Sequence, residues 1–197
     1  MEQYEQLRQY LKDIGVTITP KSQSWFMKVL SKILFFNKNF LTSYTTTIGK
    51  TIYASDMFYS KPQKERIVTL AHEYVHVQQR KWMWLYLMPQ IFAIFAILGF
   101  WLSPWFFLCL LFLAPLPSPR AYLELEAYKV TVLMTYWILE RKANISQIAK
   151  NFSGPQYYFM LPFGSKKIQQ KLNLIFGLAI QQKTPIKYLK LRKQLGL

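Results

Sequence analysis

The chain has a single cysteine, Cys109, among its 197 residues, so it can hold neither an internal disulfide nor a cysteine-built zinc module. It has only two histidines and nine acidic residues. Charged residues make up 17% of the total, against a usual share of about 25%. Hydrophobic residues make up 52%, which excludes a disordered chain, and the low charge excludes a coiled coil. The seven glycines exclude a collagen-like repeat. Acidic residues are so few that 25 lysines and arginines leave a net charge of +16, as expected of a protein with one face on an anionic surface. The N-terminus, MEQYEQLRQYLKDIG, has neither the early apolar core nor the small-residue cleavage site of a secretory leader.

Charge is most conspicuously missing from the middle of the chain. No charged residue occurs from Trp82 to Pro119, while twelve basic and six acidic residues precede that gap and thirteen basic and three acidic residues follow it. The gap is rich in aromatic residues. A nucleic-acid surface would mix its aromatics with Lys and Arg, so no nucleic-acid partner is expected. Leu85–Leu102 has only Gln90 as a strongly polar residue. As a helix it would be roughly 27 Å long, close to the roughly 30 Å hydrocarbon core of a bilayer. Ser103-Pro104 breaks the run, and Trp105–Ala114 forms a shorter second arm. Residues 84–118 therefore read as an inserted transmembrane or re-entrant helical hairpin, with a buried hairpin in a soluble core as the alternative. Trp82, Trp84, Trp101 and Trp105 sit at the ends of the runs, as interfacial aromatics do. Basic residues on both flanks place both flanks on the cytoplasmic side.

Elsewhere, residues 3–14 carry an apolar stripe at Tyr4, Leu7, Leu11 and Ile14, the spacing of an amphipathic helix. Residues 24–36 repeat the pattern, with Lys28 and Lys32 on the other side, which suits either core packing or a helix lying on anionic lipid. Residues 40–54, rich in Thr, Tyr and Ile around Gly49-Lys50, predict a β-hairpin or two short strands. Ser60-Lys61-Pro62-Gln63 predicts a helix capped by Ser60 and running through Lys81. A second long helix is predicted from Pro119 to about Lys142. A basic, weakly helical tail follows from Ser165.

Both histidines of the chain lie in one motif, His72-Glu73-Tyr74-Val75-His76. On a helix, positions i and i+4 share a face one turn apart, so the two imidazoles can bind the same ion. The glutamate between them sits where it can take a proton from a water activated by zinc. A third ligand is needed, and no further His is available. The following helix offers two carboxylates, Glu124 and Glu126.

The motif resembles that of the gluzincin group of zinc metallopeptidases. In that group the third ligand is a Glu on a later helix, commonly followed by Ala, and Glu126-Ala127 fits this pattern. The resemblance extends to Ile52-Tyr53, to Ile67–Glu73, to Val77-Gln78-Gln79 and to Leu125-Glu126-Ala127-Tyr128, over roughly residues 44–82 and 119–135. It implies an α+β, zincin-like catalytic unit, mainly α with a small β-sheet, made of residues 1–83 and 119–197. It also implies Zn2+ held by His72, His76 and Glu126, with Glu73 as general base. The strand segment 44–54 would then be the edge on which a peptide or protein substrate pairs. His76 and Glu126 are 50 residues apart, and taking out the 36 residues 84–119 leaves 14, a short helix–turn–helix separation.

The sequence thus points to a membrane-anchored zinc metallopeptidase whose metal site lies on the cytoplasmic side. Two alternatives stay open. One is a zinc-binding membrane protein without turnover. The other is a membrane-active assembly component, for example of a virus.

Overall fold

The computed structural model describes residues 2–33, 39–82, 119–153 and 164–197. Within them the protein is mainly helical, with one small three-stranded sheet. Helix α1 (Glu2–Asp13) buries Tyr4, Leu7 and Leu11, the expected stripe. It ends at Gly15, whose φ of +77° is the left-handed conformation that favours glycine at a helix end.

The chain then enters β1 (Thr17–Pro20), a strand not anticipated from the sequence. The expected hairpin forms from β2 (Thr46–Ile48) and β3 (Thr51–Ala54). Its two-residue turn begins with Gly49 at φ +62°, matching the positive φ that tight hairpin turns require. The sheet order is β1-β3-β2. β1 runs parallel to β3, with Ile18 opposite Ile52, and β2 runs antiparallel to it, with Thr47 opposite Ile52. β3 is thus central and buries Ile52 and Ala54, while β2 is an edge.

Helix α2 (Trp25–Ile33) buries Met27 but leaves Trp25 and Phe26 exposed, so its aromatic N-terminal end is not core. A short α3 (Asp56–Ser60) precedes the motif helix. Ser55 caps it, with its side chain accepting from the Phe58 amide. Ser60 is therefore the end of α3 and not the cap of the next helix, a correction to the sequence expectation. The motif helix α4 (Gln63–Gln79) starts behind Pro62 without a side-chain cap. Proline suits this place because the first amides of a helix have no intrahelical partner.

α4 is buried on most sides, through Ile67, Leu70, Ala71, Tyr74 and Val77 among others. It packs along α5 (Pro119–Leu139), on which Ala121, Leu125, Ala127, Val130 and Leu133 are buried. α1 closes on α4, where the Tyr10 and Tyr74 hydroxyls lie 3.0 Å apart. Helices α6 (Ile145–Ser153) and α7 (Ser165–Ile180) pack on each other, and both pack on α5. α8 (Ile186–Gln194) is the last described helix and buries Tyr188 and Leu191. One hydrophobic core joins Tyr4 near one end of the chain to Leu195 near the other. The basic tail expected to be weakly helical is thus two well-defined helices whose inner faces belong to that core.

Among the described residues no helix is long and apolar enough to cross a membrane. The hairpin expected over 84–118 lies outside the described residues.

Candidate metal centre

α4 and α5 lie side by side, and three side chains converge between them. His72 and His76, one turn apart on α4, bring their Nε2 atoms to 3.2 Å. Glu124 of α5 reaches them with Oε2, at 3.6 Å from His76 Nε2 and 3.9 Å from His72 Nε2. The three side chains are only 12–21% exposed.

The outer nitrogens of both rings are engaged. His72 Nδ1 lies 2.8 Å from Thr131 Oγ1, and that hydroxyl donates to the Ala127 carbonyl at 3.3 Å, so the ring nitrogen is the donor to Thr131. His76 Nδ1 donates to Gln79 Oε1 at 3.1 Å, while the Gln79 amide donates to the Leu123 carbonyl at 3.3 Å. With both Nδ1 atoms protonated, two Nε2 lone pairs and a carboxylate oxygen face one another across 3.2–3.9 Å. Such an arrangement could hold a cation at its centre.

A divalent metal fits the triangle. Zinc bonds of about 2.0–2.1 Å at tetrahedral angles put neighbouring donor atoms roughly 3.3 Å apart. The ligand atoms of His72, His76 and Glu124 all lie within 4.8 Å of one another, and the outer hydrogen bonds that the rings donate to Thr131 and Gln79 are those that orient metal-ligating imidazoles. Burial and the neighbouring His76 push the His72 pKa down to about 3. Burial also works against charge on His76, but the Glu124 carboxylate outweighs it and raises that pKa to about 9. Without a metal, one proton on His76 is what balances the carboxylate.

Glu73, the glutamate inside the motif, is 6% exposed. Burial raises its pKa, opposed by His76 and by the hydrogen bond from Thr47. That hydrogen bond runs from Thr47 Oγ1 to Glu73 Oε2 at 2.7 Å, so the edge strand β2 itself holds the carboxylate. β2 is in turn held from behind. The buried Lys21 ammonium donates to the carbonyls of Phe40 and Tyr44 and to Thr46 Oγ1, each at 2.8 Å. Burial lowers the Lys21 pKa to about 8, partly countered by Glu73.

Glu126, expected as the third ligand, is not beside the histidines. Its carboxylate is taken by Lys129 on its own helix and, from α8, by Lys187 at 2.8 Å and by the Tyr188 hydroxyl at 3.0 Å. Burial alone would raise its pKa, but these hydrogen bonds bring it to about 2. Glu124, the other carboxylate that the sequence offers on this helix, is 9% exposed and at the site. α5 is turned so that Glu124, Tyr128 and Thr131 face α4. The Tyr128 ring meets His72 edge-on at 4.9 Å and is backed by Phe152 of α6 at 5.4 Å.

Three supporting residues were missed at the sequence level: Thr47, Gln79 and Thr131. Gln79 follows His76 by three residues and Thr131 follows Glu124 by seven, helical spacings that were open to detection once Glu124 was chosen. Thr47 carries no such signal, because strand and helix meet only in the fold.

In comparisons with known protein families, curated proteins and solved structures, the chain matches none.

Proposed function

We propose that the protein is a membrane-anchored zinc metallopeptidase in which His72, His76 and Glu124 hold the metal and Glu73 is the general base. The observation that carries this reading is the convergence of three lone-pair donors beside a buried carboxylate supplied by the same helix. Zinc in such a site supplies a Lewis acid and lowers the pKa of water. Glu73 then takes a proton at its carboxylate, and a pKa raised by burial suits a group that must accept and release that proton near neutral pH. Thr47 keeps Oε2 oriented during the transfer. An extended peptide adds to the free side of β2 by strand pairing, which brings its backbone alongside α4. The uncharged segment 84–118, inserted between the two metal-bearing helices, anchors the unit at a bilayer with the site on the cytoplasmic side.

A second reading is a metal staple between α4 and α5 without turnover, favoured by the low exposure of all three donor side chains. Hydrolysis of an unstructured peptide by the purified, zinc-loaded chain, lost on chelation and in Glu73→Gln, is the expected result. Bound zinc with no hydrolysis in either protein would leave the staple, and no bound metal would remove both readings.

A further inference from the structure

The last helix, α8, carries an exposed face that is both basic and apolar. Residues 165–197 contain eight Lys and Arg and no acidic residue. On α8 the inner face is occupied: Tyr188 and Leu191 are buried, and Tyr188 reaches across to Glu126. The outer face is different. Ile186, Leu189, Lys190 and Lys193 recur at the spacing of one helical stripe, and all four are exposed, with Ile186 at 69%. The end of α7 adds exposed Ile180, and the turn leading into α8 adds exposed Lys183. Among the described residues no hydrogen bond or ion pair engages the ammonium groups of Lys183, Lys190 or Lys193.

We infer that this stripe is a docking surface for an anionic lipid bilayer. Aliphatic side chains flanked by free lysines on the outer side of a short helix match an interface where apolar groups enter the acyl boundary and cations meet phosphate headgroups. The charge complementarity is one-sided, because residues 165–197 contain no acidic side chain to oppose an anionic surface. Nucleic acid is the poorer fit. Single strands are gripped by stacking bases on planar rings, and the exposed apolar residues of this stripe are all aliphatic. The inference draws on the membrane reading above only for the presence of a bilayer nearby. Docking through α8 would fix the tilt of the α4–α5 pair against the lipid surface, because α8 is joined to α5 through Lys187, Tyr188 and Glu126.

The test uses the full chain with Cys109→Ser and Gln194→Cys, the latter labelled with an environment-sensitive fluorophore at the edge of the stripe. Vesicles of phosphatidylcholine containing phosphatidylglycerol should shift the emission to the blue and high salt should reverse it, while phosphatidylcholine alone should not shift it. Each lysine near an anionic surface is worth roughly a factor of five, so Lys183→Gln, Lys190→Gln and Lys193→Gln together should weaken the response on the order of a hundredfold. Ile186→Ser with Leu189→Ser should weaken it as well, with the helical circular dichroism unchanged in both variants. An equal shift on neutral and anionic vesicles, or none on either, overturns the inference. A larger shift with duplex or single-stranded nucleic acid than with anionic vesicles overturns it in favour of that partner. Co-flotation of the same protein with neutral vesicles reports separately on anchoring through 84–118, so the two readings can fail independently.

Discussion

Glu124→Gln and Glu126→Gln separate the two carboxylates that lie two residues apart on α5. Glu124 is 12% exposed in its side chain and points Oε2 at both imidazoles, at 3.6 and 3.9 Å. Four-ligand zinc sites bind with about 10–16 kcal/mol, or about 2.5–4 kcal/mol per ligand. At about 1.4 kcal/mol per decade, losing the Glu124 carboxylate should weaken metal affinity by roughly 60- to 700-fold. Glu126 points the other way, into Lys129, Lys187 and Tyr188, and its side chain is 34% exposed. Its amide variant should hold metal within about threefold of wild type. The variant should instead lose stability, by about 1–2 kcal/mol, since it weakens three partly screened charge-assisted hydrogen bonds. The assay is competition with a chelator of known zinc affinity, paired with urea unfolding of the metal-free proteins. Loss of metal in Glu126→Gln with retention in Glu124→Gln would refute the reasoning, because it requires α5 to be turned by about 200° from the orientation that buries Glu124.

Three further outcomes follow from the same geometry. Gln79→Ala and Thr131→Val, which release the outer nitrogens of His76 and His72, should each weaken zinc binding by about 10–100-fold without removing a ligand, read in the same competition assay. Glu73 has a raised pKa, so the folded state holds its proton more tightly than the unfolded state, and the buried carboxyl costs stability as pH rises through that raised value. Metal-free Glu73→Gln should therefore melt higher than wild type at pH 8, with a gain on the order of 1 kcal/mol, and the two should converge near pH 4. Lys21 has a lowered pKa, about 8 in the fold against about 10.4 unfolded, so its contribution to stability improves as pH rises from 7 to 10. Lys21→Met should abolish that increment, on the order of 1–3 kcal/mol, and should be less stable overall because three acceptors lose their donor, both measured by urea unfolding against pH.

The sequence by itself determined the local periodicities and the motif. The stripe of α1, the hairpin at Gly49-Lys50 and the two long helices are short-range patterns, written in residues a few positions apart, and they recur in the fold. The placement of His72 and His76 on one face needs nothing more than 3.6 residues per turn. β1 was missed because four residues ending in proline make a strand only by pairing with β3, thirty-four positions later. The choice between Glu124 and Glu126 was decided by tertiary structure alone. A helical wheel puts the two on opposite sides of α5, but which side meets α4 depends on how the buried residues of both helices pack. Glu126 was the more attractive candidate by local pattern. Its partners Lys187 and Tyr188 come from a helix some sixty residues away, whose docking no local spacing reveals. The same holds for Thr47 and Lys21, which reach Glu73 and the β2 segment only because sheet and motif helix are pressed together by one core.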